Sequence, residues 1–303
     1  MEYHNPVLLE ACVEALNMKA SGLYVDVTFG GGGHSKRMLQ MLDDTGRLVS
    51  FDQDADALSN ADLTNPKLTF VAANFRHLKR FLDYHACIPV DGILADLGVS
   101  SHQFDDVSRG FSFRDSSKRL DMRMNVKQGK DAVAVLNHYS ESDLAEMFYL
   151  YGELRNSRSL ASAIVKSRAS KDIETVGDLL SVIEKVVKGM SPKFLAQVFQ
   201  AIRIEVNEEM DSLKEMLEAS LQVLKPGGRL VVMSYHSLED RMVKNFIKTG
   251  NIKGEIIKDK FGNIHRPFRL VNKKTTTPGA QEISTNPRAR SAKLRVAEKI
   301  ENK

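Results

Sequence analysis

Cysteine is scarce in this chain. Only Cys12 and Cys87 occur among 303 residues, far apart and without CxxC spacing. That argues for a reducing compartment and against a zinc site. No stretch approaches the roughly 20 uninterrupted apolar residues that a membrane helix needs. The opening Met1-Glu2-Tyr3-His4-Asn5-Pro6 carries an acid and no apolar run of signal-peptide type, so a cytoplasmic location is expected. No GK[ST] follows a glycine turn, which excludes a P-loop. His, Asp and Glu are not grouped at metal-ligand spacing, so no metal is expected. Internal repeats are absent too.

What is present is globular material, with 42% hydrophobic and 27% charged residues. It suffices for a sizeable core, in one large domain or two ordinary ones. The net charge of +4 is unevenly spread. Residues 241–303 hold 16 Lys and Arg against 5 Asp and Glu, leaving residues 1–240 at −7. Such asymmetry suits a polyanion-binding face, although a solvated basic tail gives the same count.

Short β-branched runs alternate with helical segments over the first hundred residues. Strands are predicted at Leu23 to Val27, Arg47 to Phe51, Leu68 to Ala72 and Asp91 to Leu97, the pattern of a parallel sheet with covered faces. Residues 98–130, rich in Ser, Arg, Asp and Gly, read as a long functional loop. Residues 131–205 read as wholly helical. Ser140-Glu141-Ser142-Asp143 resembles a capping box, and Leu144, Met147, Phe148 and Tyr151 share one apolar face. The α/β pattern then resumes, with a helix through Met210 and Leu224 stopped by Lys225-Pro226-Gly227-Gly228. A strand at Arg229 to Tyr235 follows, and a last one at Ala292 to Ala297. Interrupted alternation predicts an α/β domain made of residues 1–105 and 206–303, with a helical domain, residues 106–205, inserted into it.

The sharpest local signal is Asp26-Val27-Thr28-Phe29-Gly30-Gly31-Gly32-Gly33-His34-Ser35. An acid ends a strand, and four glycines open a helix, where they permit positive φ and close backbone approach to a ligand. Asp52 ends the second strand, where a carboxylate can accept hydrogen bonds from both ribose hydroxyls of an adenosine. The dinucleotide fingerprint fits imperfectly, because Gly30 and Gly32 are followed by Ser35. Asp26 favours S-adenosylmethionine, whose cationic methionine end would welcome a carboxylate that a pyrophosphate would not. Asp96, ending the fourth strand, adds a further acid at the carboxyl edge of the sheet.

Together with His4-Asn5-Pro6-Val7-Leu8-Leu9, these stretches form an ordered set. Its other members are Asp91 to Ser101, Arg109 to Arg114, Leu120 to Met124, Phe199 to Asn207, Ser234 to Arg241 and Asn286 to Ser291. The set resembles the bacterial ribosomal RNA small-subunit methyltransferase H family (MraW) from end to end. That resemblance implies a class I, S-adenosylmethionine-dependent methyltransferase fold, Rossmann-like and mostly parallel, with an all-helical insertion that recognises substrate. It implies methyl transfer to the exocyclic N4 of a cytosine in 16S rRNA, in the decoding region of the small ribosomal subunit. It also implies donor contacts from Gly32, Gly33, His34, Asp52, Phe75, Asp96 and Gln103. The chain departs from the family at Leu154, where a second acid is usual, and within Pro192 to Phe199, which lacks the usual arginine.

Cytosine N4 is a poor nucleophile, so an acceptor for its N–H is needed. The acid or amide followed by Pro-Pro-aromatic that many amino-methyltransferases use is absent, and Asp96-Leu97-Gly98-Val99-Ser100-Ser101 stands in its place. Asp96, or a backbone carbonyl just after it, is the candidate acceptor. His236 is a candidate to face the target base and Tyr235 to stack on it. A structural histidine fits position 236 equally well, and His102 is read the same way. Arg109, Arg114, Arg119, Arg123, Arg288 and Arg290 are candidate RNA-backbone contacts. A small-molecule or protein methyltransferase, or an RNA chaperone sensing the donor, are the other readings of the fold.

Overall fold

The computed structural model describes residues 6–301 apart from 101, 102, 105, 128, 188, 190, 263, 265 and 273, and does not describe the Val107 side chain. His102 therefore lies outside the described residues. The chain divides into two compact units, Met1–Gly98 with Met210–Lys303, and Val99–Glu209.

The first unit is built on seven strands: β1 (Leu23–Asp26), β2 (Arg47–Phe51), β3 (Leu68–Val71), β4 (Val90–Asp96), β5 (Leu224–Ser234), β6 (Phe268–Leu270) and β7 (Lys293–Lys299). Their order is β3-β2-β1-β4-β5-β7-β6. The first five are parallel, while β7 runs antiparallel to both neighbours. This is the mostly parallel, Rossmann-like sheet that the resemblance implied. Side chains alternate between its faces, as strand geometry requires. Val25, Val49, Ile93, Leu230 and Val232 enter one core, and Tyr24, Leu48, Leu94, Val231 and Met233 the other. Helices α1 (Leu9–Leu16) and α2 (Gly33–Met41) supply Cys12, Val13, Leu16 and Met38 to the second core. Two short helices, α3 (Ala55–Leu58) and α4 (Leu78–Tyr84), follow β2 and β3. Leu78 and Leu82 of α4 reach the first core.

In the second unit, α5 (Ala132–His138), α6 (Glu141–Leu150), α7 (Ser157–Arg168), α8 (Val176–Val186) and α9 (Pro192–Asn207) surround one apolar cluster. Their starts follow the capping rules. Ser140 Oγ accepts from Asp143 N at 3.1 Å, and Thr175 forms a reciprocal box with Asp178. The described residues of 99–130 are largely irregular, yet several are tied to the helices. Phe111, Leu120 and Met122 are buried in the helical cluster, and Leu120 N donates to Glu174 O while Val176 N donates to Lys118 O. Leu154 is buried in the same cluster. The leucine that departs from the family pattern is thus a core residue.

After α9 the chain turns at Glu208, with φ 49°, into α10 (Glu209–Val223). The predicted helix stop at Lys225-Pro226-Gly227-Gly228 lies instead inside β5, which starts at Leu224. The irregularity appears as a register shift against β4 between Val90 and Gly92, where a strand tolerates proline and glycine. Helix α11 (Ser237–Thr249) follows β5, and α12 (Ala280–Thr285) precedes β7.

Candidate active site

Three acidic strand ends lie side by side in the first unit. Asp26 of β1 pairs in register with Ser50 of β2 and Leu94 of β4, so Asp26, Asp52 and Asp96 share the carboxyl edge where open α/β sheets bind ligands. Asp26 is 1% exposed and faces inward. Its carboxylate accepts from Thr28 N at 3.1 Å and from Ser35 Oγ at 2.7 Å. Asp26 thus braces the glycine turn. Ser35, which spoiled the dinucleotide fingerprint, has its place here, since its hydroxyl also meets Ser50 Oγ at 2.8 Å. Burial raises the Asp26 pKa, and these bonds oppose the rise. Thr28 Oγ1 accepts from Asp96 N at 2.7 Å, tying the turn to β4. None of this buried bracing was read from the sequence.

The turn is shaped to admit a ligand. Gly32 sits at φ +77°, and a Cβ there would lie 2.7 Å from the Phe29 ring. A side chain at position 32 would thus be both strained and crowded. Asp52 closes the far side. Its Oδ2 accepts from Gly30 N at 2.7 Å and its Oδ1 from Asp54 N at 2.8 Å, which leaves each oxygen a further lone pair. Asp54 caps α3 by accepting from Asp56 N. Burial pushes the Asp52 pKa up to about 6, and its two backbone hydrogen bonds hold it down.

Asp96, Tyr235 and His34 form the second cluster. Tyr235 Oη donates to Asp96 Oδ1 at 2.8 Å, and His34 Nδ1 lies 3.8 Å from Asp96 Oδ2. The Asp96 side chain remains 22% exposed. Burial raises its pKa to about 6, against the pull of His34 and the Tyr235 hydroxyl. Burial, with the Asp96 charge beside it, drives the Tyr235 pKa far upward, so its hydroxyl stays protonated. Tyr235 therefore holds Asp96 by a hydrogen bond. His34 is 5% exposed, and its Nε2 has no hydrogen-bond partner among the described residues. An orphaned buried donor or acceptor costs about 1–3 kcal/mol, so it marks a place where a ligand would be welcome. With the glycine cradle, this is a fit for a nucleoside-bearing donor.

His236 has a different job. It is the N-cap of α11, with Nδ1 accepting from Glu239 N at 3.5 Å, while the Glu239 carboxylate accepts from Tyr235 N at 2.9 Å and His236 N at 3.3 Å. Phe75 opens a 3₁₀ turn after β3 and packs against the core with part of its surface free. Gln103, in the second unit, is buried, and its Oε1 accepts from Ser100 N at 3.0 Å.

The candidate arginines divide into two kinds. Arg109 is buried, and its Nη2 donates at 2.8 Å to both Arg123 O and Met124 O. It is a brace for the loop, which corrects its assignment as a phosphate contact. Arg123 forms a two-pronged pair with Asp121 at 2.8 and 2.7 Å. The same loop is gripped by Asn207, which accepts from Met124 N and donates to Met122 O. Arg114, Arg119 and Arg290 are exposed, Arg119 with Asp131 at 2.9 Å; Arg288 is half-buried. Arg290 borders a cavity of about 260 Å³ that is also lined by Tyr235, His236, Ser237 and Lys293.

A Rossmann-like sheet with a glycine cradle and carboxylates closing β2 and β4 defines a nucleoside-binding α/β protein. The sequence profile of the MraW methylase family matches residues 1–300, and the chain belongs to that family. Relatives named Ribosomal RNA small subunit methyltransferase H span almost the whole chain. The protein of Bacteroides fragilis strain YCH46 is 59% identical over 298 residues, covering 98% of this chain and 97% of its own. That of Parabacteroides distasonis is 57% identical over 300 residues, covering 98% of each. That of Flavobacterium johnsoniae is 55% identical over 301 residues, covering 99% of each.

Proposed function

We propose that this protein transfers a methyl group from S-adenosylmethionine to the exocyclic N4 of a cytosine in 16S rRNA, in the decoding region of the small subunit, and that it does so in the cytoplasm. The observation that carries the reading is Asp96: a partly exposed carboxylate at the ligand-binding edge, held on one oxygen by Tyr235, with His34 Nδ1 3.8 Å from the other. Gly32, Gly33, His34, Asp52, Phe75 and Asp96, all in the first unit, would hold the donor. When bound, the donor supplies a methyl group on a sulfonium, an electrophile that needs no activation by the protein.

The chain's work is therefore on the amine. The N4 lone pair is delocalised into the cytosine ring, and it becomes available as an N–H proton is drawn away. Asp96 accepts that N–H. With a pKa near 6 it is ionised at neutral pH, yet it is a stronger base than an ordinary carboxylate near 4. Tyr235, by holding Oδ1, sets the direction of Oδ2. The target base must leave its stack to come within reach, and the helical unit, with exposed Arg114 and Arg119, recognises the surrounding RNA. Labelled methyl transfer to purified small subunits tests the proposal. Incorporation is expected with the natural chain and not with Asp52→Ala. No incorporation by folded, donor-binding protein overturns it.

A further inference from the structure

The basic surplus of the C-terminal region is not absorbed by Arg288 and Arg290. Four further cations, Lys253, Lys258, Lys260 and Arg266, lie between α11 and β6. Gly250 ends α11 at φ 78°, and a Cβ there would meet the Pro267 ring at 2.8 Å. The chain thus leaves and returns at one point, and the described residues in between, 251–262, 264 and 266, belong to a closed excursion, a shape often used for function. Its base is fixed. Asn245 Nδ2 donates to Ile252 O, Asn251 donates to Glu255 O and accepts from Glu255 N, and Phe268 is buried against Phe246. Its far end is a narrow hairpin, bridged at Lys258 and Ile264 and turned by Gly262 N donating to Asp259 O.

This hairpin presents an unusual surface. Ile256, Ile257, Phe261 and Ile264 are all exposed, Phe261 by 78%. No other stretch of the described residues exposes so many large apolar side chains so close together. Lys253, Lys258, Lys260 and Arg266 are exposed as well, and none pairs with a carboxylate among the described residues. The Lys260 ammonium stands over the Phe261 ring, 5.1 Å from its centroid. A flat ring flanked by unpaired cations is the combination that holds unpaired nucleotides, since bases stack on the ring and phosphates meet the cations. These four cations outnumber the two acids, Glu255 and Asp259, and the net positive charge disfavours a second copy of the same surface.

We propose that the 251–266 hairpin is a second RNA-binding site, at which Phe261 stacks on an unpaired base of the small-subunit rRNA while Lys258 and Lys260 hold its phosphates. This rests on the reading of the protein as an rRNA methyltransferase and adds a contact remote in sequence from the donor-binding residues. The chain contains no tryptophan, so Phe261→Trp places a single reporter on the exposed tip. Small-subunit rRNA is expected to quench its emission, with a midpoint that rises with salt. Phe261→Ala is expected to weaken rRNA binding roughly tenfold or more. Lys258→Ala with Lys260→Ala should lower the slope of log affinity against log salt by about 0.7 per lost contact. Calorimetric binding of the methyl donor should be the same in all variants. Unchanged Trp emission in the presence of rRNA that the same protein methylates overturns this proposal and leaves the function standing. Failure of the natural chain to bind or methylate rRNA removes both. A response to anionic vesicles, or to protein concentration, without any response to rRNA reassigns the tip and overturns the proposal.

Discussion

Replacing Asp96 by asparagine is expected to stabilise the protein while removing its activity. Burial lifts the Asp96 pKa from 3.8 to about 6, and one pKa unit is worth about 1.4 kcal/mol. Above pH 6 the folded protein therefore carries a cost of roughly 3 kcal/mol for an ionised carboxylate that the unfolded chain keeps in water. Because the folded pKa is the higher one, this cost vanishes below 3.8 and grows as pH rises towards 6; at pH 5 it is roughly half of its full value. Asparagine escapes the cost and still accepts from Tyr235 Oη. Allowing for a weaker neutral hydrogen bond, the gain should be about 1–3 kcal/mol at pH 8, which moves a thermal midpoint upward by several degrees. Unfolding of both proteins without donor, at pH 8 and at pH 5, measures it, and methyl transfer should fall by about 10²-fold or more. An asparagine variant less stable than the natural chain at pH 8, or equally stabilised at both pH values, refutes the reasoning.

Tyr235→Phe removes the bond that orients Asp96 and helps to keep it ionised. The kcat should drop about tenfold, and the acidic limb of the pH–rate profile should shift above its natural midpoint near 6 while donor affinity holds. Asp52→Asn should weaken donor binding about 10- to 100-fold by calorimetry, with kcat restored at saturating donor. Arg109→Lys should lower a urea midpoint, because the Arg123 and Met124 carbonyls lose the shared Nη2 donor, and leave the salt dependence of RNA binding unchanged. Arg114→Ala should do the reverse, reducing the salt slope by about 1 without touching stability.

The parts legible in the sequence were those written locally. β-Branched and apolar runs marked five parallel strands because each is a short continuous stretch, most of them largely buried. The place of Asp52 at a strand end was legible from the run before it, and the structure gives the cap of the next helix to Asp54. Strand β6 escaped notice because Phe268-Arg269-Leu270 is three residues long and follows Pro267. The reversed direction of β7 has no local signature at all. Arg109 looked like any loop arginine, and only burial beside the Arg123 and Met124 carbonyls distinguishes it from Arg114. The bond from Tyr235 to Asp96 spans 139 residues. It gives the Tyr235 hydroxyl a partner that no spacing rule could have found.

The most direct measurement is to incubate purified small subunits with protein and donor carrying a deuterated methyl group, then digest the 16S rRNA and weigh its nucleosides. Label in N4-methylcytidine from a single site, present with the natural chain and missing with Asp96→Asn, is the expected result. Label on another nucleoside, on a ring carbon, or at equal yield with both proteins contradicts the account.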